Sequence, residues 1–162
     1  MNHSDELKAE RCESPIEKMF MLAAIRFFGE AIGWLDGSQI EELLPPKTSP
    51  PRYPYIVAAP QVTVGKHRVD FLFVAENFDG GQHICVAVEC DGHEFHEKTK
   101  EQAARDKARD RDLAAAGIIV LRFTGSEIWR DPVGCTDQVM TLLSDRQSAT
   151  IDTAFGRLRE AA

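Results

Sequence analysis

Apolar and polar positions follow two periods along this chain, and the changes of period mark its elements. From residue 14 the period is helical. Ser14-Pro15-Ile16-Glu17 reads as a helix start, with Ser14 as N-cap, Pro15 as first helical residue and Glu17 as capping-box acid. Ile16, Phe20, Ala23 and Phe27 then form a stripe at spacings of four, three and four. Gly33 and Gly37 weaken any continuation, and a short amphipathic piece is predicted over Gln39–Leu44. Five prolines between residues 45 and 54 exclude helix and central strand, so that stretch is a loop. Three strand-like runs follow: Ile56–Val64, Arg68–Val74 and Ile84–Cys90. Gly65-Lys66 and the segment around Asp79-Gly80 are the turns between them, which makes a three-stranded meander. A charged helix is predicted from about Lys98 to Ala116, stopped by Gly117. Ile118–Phe123 is a short apolar strand that returns to the same sheet after the crossover. One or two helices, over about 134–145 and 149–161, are expected to finish the chain. The order is helix, three strands, helix, strand, helices: an α/β protein with a central mixed sheet flanked by helices. Residues 1–13 are polar and predicted to fray, and 14–162 read as a single domain.

Composition narrows this picture only a little. At 162 residues, 43% hydrophobic and 28% charged, the chain is long enough for one domain with a real core. It has no apolar run of membrane-spanning length and no signal-peptide pattern at its start, which predicts a cytoplasmic protein with no membrane association. Four cysteines without a CxxC pairing are expected to be reduced thiols. The net charge of −7 argues against a general nucleic-acid coat protein. It leaves room for a nuclease, whose metal site is acidic and whose phosphate contacts can be local.

The candidate chemistry lies in the meander. A turn centred on Asp79-Gly80 sets Asp70 directly across from Glu89, with both side chains on one face. Asp is disfavoured inside strands, yet Asp70 stands among Val69, Phe71, Leu72 and Phe73. Two carboxylates so close repel unless something neutralises them, and a divalent metal is the usual solution. Asp91 is either a third acid on that face or the first turn residue before Gly92. Arg109 shares a helical face with Asp106 and Leu113, so it either reaches toward the acids or belongs to a solvated, alternating-charge helix. Cys85 and Cys90 are an odd number of residues apart in one strand, which points them to opposite faces and argues against a zinc cluster with His93 and His96. Gln61 either lines the site from the first strand or, as the more ordinary case, is a polar residue of an edge strand.

These residues, in this order, resemble the PD-(D/E)xK nuclease superfamily. The closer likeness is to a family of small uncharacterised endonuclease-like domains that are themselves similar to very-short-patch-repair endonucleases. It is carried by Arg68-Val69-Asp70-Phe71, by Val88-Glu89-Cys90-Asp91-Gly92 with His96 behind it, and by Asp106–Leu113, Gly117 and Val120-Leu121-Arg122-Phe123. The resemblance implies a restriction-endonuclease-like core of αβββαβ order and a DNA substrate. It implies that Asp70 and Glu89 are the metal-binding acids and that the Cys90 carbonyl is a third ligand. Oxygen ligands suit Mg²⁺ or Mn²⁺, with a metal-bound water attacking the phosphodiester. Many superfamily members also aim an acid of the first helix at the metal, which here is Glu17. The superfamily lysine should stand two residues after the glutamate, where this chain has Asp91. His96 matches the position of the short-patch-repair histidine and is the first choice for the missing role, with His93, Lys98 and Arg109 as alternatives.

The expected function is therefore metal-dependent hydrolysis of DNA by Asp70 and Glu89, helped by Glu17, with His96 and Arg109 in proton transfer and phosphate stabilisation. Two other readings are a nuclease-fold DNA-binding module without catalysis and a structural or partner-binding protein. Protein partners are not legible in the pattern.

Overall fold

The computed structural model describes residues 9–44, 55–78, 81–92 and 100–160. In order, the elements are α1 (Pro15–Phe28), β1 (Ile32–Trp34), α2 (Gly37–Glu41), β2 (Ile56–Val64), β3 (His67–Ala75), β4 (Ile84–Asp91), α3 (Lys100–Ala115), β5 (Ile118–Thr124), α4 (Gly125–Arg130) and α5 (Pro132–Glu160). The five strands form one sheet in sequential order. β2, β3 and β4 are the antiparallel meander, while β1 pairs parallel to β2 and β5 parallel to β4. The α3 crossover thus returns the chain to the strand it left.

The β3–β4 pairs run from Ala75–Ile84 to Phe71–Val88, the register that a turn centred on residues 79–80 imposes. Residues 79–80 themselves lie outside the described residues, as does the proline-rich loop 45–54. Helices cover both faces of the sheet. On one face, Phe20, Met21 and Ala24 of α1 pack with Phe71, Phe73, Val86, Val88 and Phe123. Phe20 is the centre of this layer, with ring centroids 5.1 Å from Phe71 and 6.0 Å from Phe123. The first half of α5 closes the layer through Val139, Met140 and Leu143. On the other face, Leu113 of α3 and Ile40 of α2 pack against Val62, Val69, Leu72, Val74 and Ala87. Cys85 lies in this second layer and Cys90 in the first, as their odd spacing requires.

Several elements depart from the sequence reading. β1 was not anticipated: Ile-Gly-Trp is too short to show a period, and its partner residues are far along the chain. The buried residues of α1 are Glu17, Phe20, Met21, Ala23 and Ala24, with Ile16 partly buried against the core, so the expected stripe holds except at Phe27, which is 57% exposed. Gly29, at φ +48°, ends the helix. Of the one or two helices expected at this end the structure has one, the continuous α5, and the short α4 before it was not anticipated. Nor do residues 9–13 stand apart from the fold: Ala9 and Cys12 are buried, and Glu13 pairs with Arg68 at 2.5 Å. No helix of the described residues is long and apolar enough to cross a membrane.

Candidate active site

The regular ladder fails at one level of the sheet, and the acids stand there. β2 and β3 pair from Ile56–Ala75 to Pro60–Phe71 and again from Val62–Val69 to Val64–His67, with Gln61 and Asp70 left out between. Ala59 and Val62 share one core layer, as do Leu72 and Val69. An unbroken strand would send residues three apart to opposite faces. Both strands therefore change phase here, and in β2 the change falls on Gln61, which has φ +53°.

On the other side of Asp70, the β3–β4 ladder stops at Phe71–Val88, one step short of Asp70 and Glu89. The Cys90 N–H instead donates to Asp70 Oδ2 at 2.7 Å. Asp70 thus sits between Gln61 and Glu89 on a level where its side chain takes over a backbone partner. Cys90 enters the site through this N–H; its thiol is buried in the α1 layer and is pushed well up by that burial, with the Asp70 charge adding to it.

Glu89 is buried, at 6% exposure. Arg109 of α3 reaches it from the second face: Nη2 donates to Glu89 Oε1 at 2.5 Å and also to the Arg68 carbonyl. Burial nevertheless pushes the Glu89 carboxyl up from 4.5 to about 7, a rise that Arg109 offsets only in part and that Asp70 enlarges. Asp70 is also raised, first by burial and then by the Glu17 charge, against the opposing Cys90 N–H and Arg109. A crowded acid pair is present, and the charge that neutralises part of it comes from Arg109.

Glu17 comes from the α1 side and is equally buried. Ser14 caps the helix as expected, its Oγ accepting from the Glu17 N–H at 3.2 Å. The reciprocal half of the capping box is different. The Glu17 carboxylate accepts from the Glu13 N–H at 2.9 Å and from Gln61 Nε2 at 2.7 Å. It is therefore tied to the sheet beside Asp70 as well as to its own helix end.

His96, His93 and Lys98 lie outside the described residues. Asp91 is the exposed last residue of β4, paired with Thr124, and its charge adds to the rise at Asp70 and Glu89. One site residue escaped the sequence reading, and another, Gln61, was legible only as the less ordinary of two alternatives. Arg122 is the β5 register partner of Glu89; it grips Asp110 with both terminal nitrogens, at 3.1 and 2.5 Å, and its charge steadies Glu89. A parallel pairing across a helix leaves no local signal for that register. Gln61 did leave one: a turn centred on Gly65-Lys66 sets it opposite Asp70.

The donors suit a hard divalent cation in kind, since Asp70, Glu89, Glu17 and the Gln61 amide offer oxygens and no imidazole or thiolate. The buried Gln61 Oε1 has no hydrogen-bond partner among the described residues, as fits a place where one more group is to be received. Yet no three His, Cys, Asp or Glu side chains among the described residues converge tightly enough to hold a metal by themselves. The fit is thus in donor chemistry, with Asp70 and Glu89 as the residues that would hold the ion.

A layered α/β sheet of this order, with two strand acids at a broken ladder, is compatible with a restriction-endonuclease-like core. Comparison with protein families agrees: residues 55–143 match the restriction endonuclease-like family REase_MTES_1575, and the chain belongs to that family. The match runs from β2 into α5, and so contains Asp70, Glu89, Cys90 and Arg109 but not Glu17. No curated protein and no solved structure matches the chain.

Proposed function

We propose that this chain is a metal-dependent endonuclease that hydrolyses DNA phosphodiester bonds at Asp70 and Glu89. The observation that carries the reading is the β3–β4 register, which brings a half-buried and a buried carboxyl, Asp70 and Glu89, both with raised pKa, to adjacent positions inside the family-matched region. Mg²⁺ or Mn²⁺ bound there would supply an activated water and positive charge for the phosphoryl oxygens. The protein's part is to hold the groups. The Cys90 N–H fixes the Asp70 carboxylate, and the Cys90 carbonyl follows as a candidate ligand. Glu17 adds a third carboxylate from α1. Arg109 supplies the cation that a lysine two residues after Glu89 would otherwise provide, and on substrate binding its guanidinium can pass from Glu89 to a phosphate oxygen. His96 is assigned proton transfer, since an imidazole changes protonation near neutral pH.

Asp91 at the lysine position and the Arg109–Glu89 ion pair also favour a second reading, in which the fold binds DNA without cutting it. Incubation with double-stranded, single-stranded and branched DNA, with and without Mg²⁺ or Mn²⁺, separates the two. The expected result is metal-dependent cleavage, abolished in Asp70→Asn and Glu89→Gln, with Mn²⁺ affinity weakened in both by calorimetry. His96→Ala should cut roughly 10²–10⁴-fold more slowly with Mn²⁺ affinity nearly intact. Binding without cleavage under every metal condition would replace the enzyme by the module, and unchanged Mn²⁺ affinity in both acid variants would remove the metal site.

A further inference from the structure

We infer that Gln61 is a positioning residue of this site, holding the α1 carboxylate of Glu17 against the Asp70 level of the sheet. The inference rests on the nuclease reading for what the held carboxylate is used for, but the clamp itself stands on three features of β2. The first is backbone conformation. Gln61 is the only non-glycine residue with positive φ among the described residues. Such a conformation is disfavoured for a side chain of this kind and persists where the surroundings over-determine it, above all at functional sites. The second is position. The β2–β3 ladder is intact on both sides and omits only the level of Gln61 and Asp70. The third is bonding. Gln61 Nε2 donates to Glu17 Oε2 at 2.7 Å across 44 residues of sequence, while Oε1 is buried and accepts nothing among the described residues.

A purely structural residue would account for none of these together. A turn or phase change that needs positive φ is met at less cost by glycine or asparagine. A buried amide kept only for packing would have both of its ends satisfied. What this amide does is join the helix that carries Glu17 to the strand level that carries Asp70. It donates to a carboxylate, and it presents a neutral oxygen acceptor beside it. An alkyl side chain could do neither, and a carboxylate in its place would add a like charge to an acidic site.

The experiment uses Gln61→Gly and Gln61→Asn in the full chain. Glycine takes φ +53° freely and asparagine tolerates it, but neither can span to Glu17 as glutamine does. Both variants should melt no lower than wild type. Both should lose Mn²⁺ affinity by about tenfold or more, the usual effect of removing a group that orients a metal-site ligand. Cleavage should fall in kcat with KM for DNA little changed. In metal-free protein the Gln61 side-chain amide should give a protected, shifted NMR signal that returns to the random-coil position in Glu17→Ala. Mn²⁺ affinity and kcat within threefold of wild type in Gln61→Gly would overturn the positioning role, as would a Gln61 amide signal indifferent to Glu17. If wild type neither binds Mn²⁺ nor cuts DNA, the nuclease reading fails, and the amide signal still decides the clamp by itself.

Discussion

Glu89 sets the strongest physical conflict in the molecule. Its carboxyl is buried and pushed up to about 7, yet a guanidinium nitrogen lies 2.5 Å from it. Burial opposes the charge, and Arg109, shared with the Arg68 carbonyl, offsets only part of that cost even with the smaller help of Arg122. The consequence for stability has a definite sign. Because the folded state holds the Glu89 proton more tightly than the unfolded chain does, the stabilising contribution is complete below about 4.5 and is lost as pH rises through about 7. Asp70, also raised, acts in the same direction. The exposed Asp36, Asp112 and Glu127 are lowered, so their effect is confined to the acid side. At roughly 1.4 kcal/mol per pKa unit, the Glu89 contribution is at most about 3 kcal/mol. Urea unfolding of metal-free protein should therefore show lower stability at pH 8 than at pH 5, and Glu89→Gln should flatten that slope. A slope of equal size in wild type and Glu89→Gln would place the titration elsewhere.

Among the elements, the meander was the most legible. β2 has the predicted bounds, and β3 and β4 extend only one residue beyond theirs, because continuous apolar runs between Gly-containing turns leave few other choices. The same turns set the register and hence the acid pair. Arg109 was legible as one of two alternatives, and the buried Leu113 one turn on shows why its face meets the sheet. What escaped depends on partners remote in sequence: β1, the register of β5, and the bond between Gln61 and Glu17. α5 was legible as one helix or two, with any break falling near residue 147. In the structure Gln147 is buried and donates to the Glu76 and Tyr55 carbonyls, so its polarity serves the sheet end without breaking the helix. Beyond Thr150, whose Oγ1 accepts from the Phe78 N–H, no residue of α5 is buried. Ending the chain after Thr150 should then shift the melting temperature by no more than about 2 °C, the scale of surface changes. Leu143→Ala, within the buried half, should cost about 2–5 kcal/mol. A large loss of stability on truncation would mean that Ile151, Phe155 and Leu158 are covered in solution.

At the scale of the whole molecule, the charge of −7 and the acidic site make DNA an unfavourable neighbour without help. Any affinity should depend on a divalent ion and on a few local cations. Lys100 and Arg109 are candidates within the described residues, and Lys47, Arg52 and Lys98 lie outside them. Each phosphate contact contributes about 0.9 to the log–log salt slope on duplex DNA, so a slope of roughly 2–4 is expected in the presence of Mg²⁺ with the slow-cutting His96→Ala variant, which keeps both metal-site acids, and binding should weaken on chelation. A slope near that of extensively basic binders would reveal a cationic surface that the charge total hides.

The counter-charge for Glu89 is mounted on a different part from the acid itself. A lysine two residues along β4 would ride with the strand and keep its distance whatever the helices did. Arg109 rides on α3, which joins β4 to β5 and is pinned to the sheet at Leu113, Glu89 and the Arg68 carbonyl. Any slide or tilt of that helix changes the separation of the charges, and electrostatic energy in a poorly hydrated site varies steeply with separation. Packing beneath α3 is thereby coupled to the acidity of the centre, as a lever arm is coupled to the balance it carries.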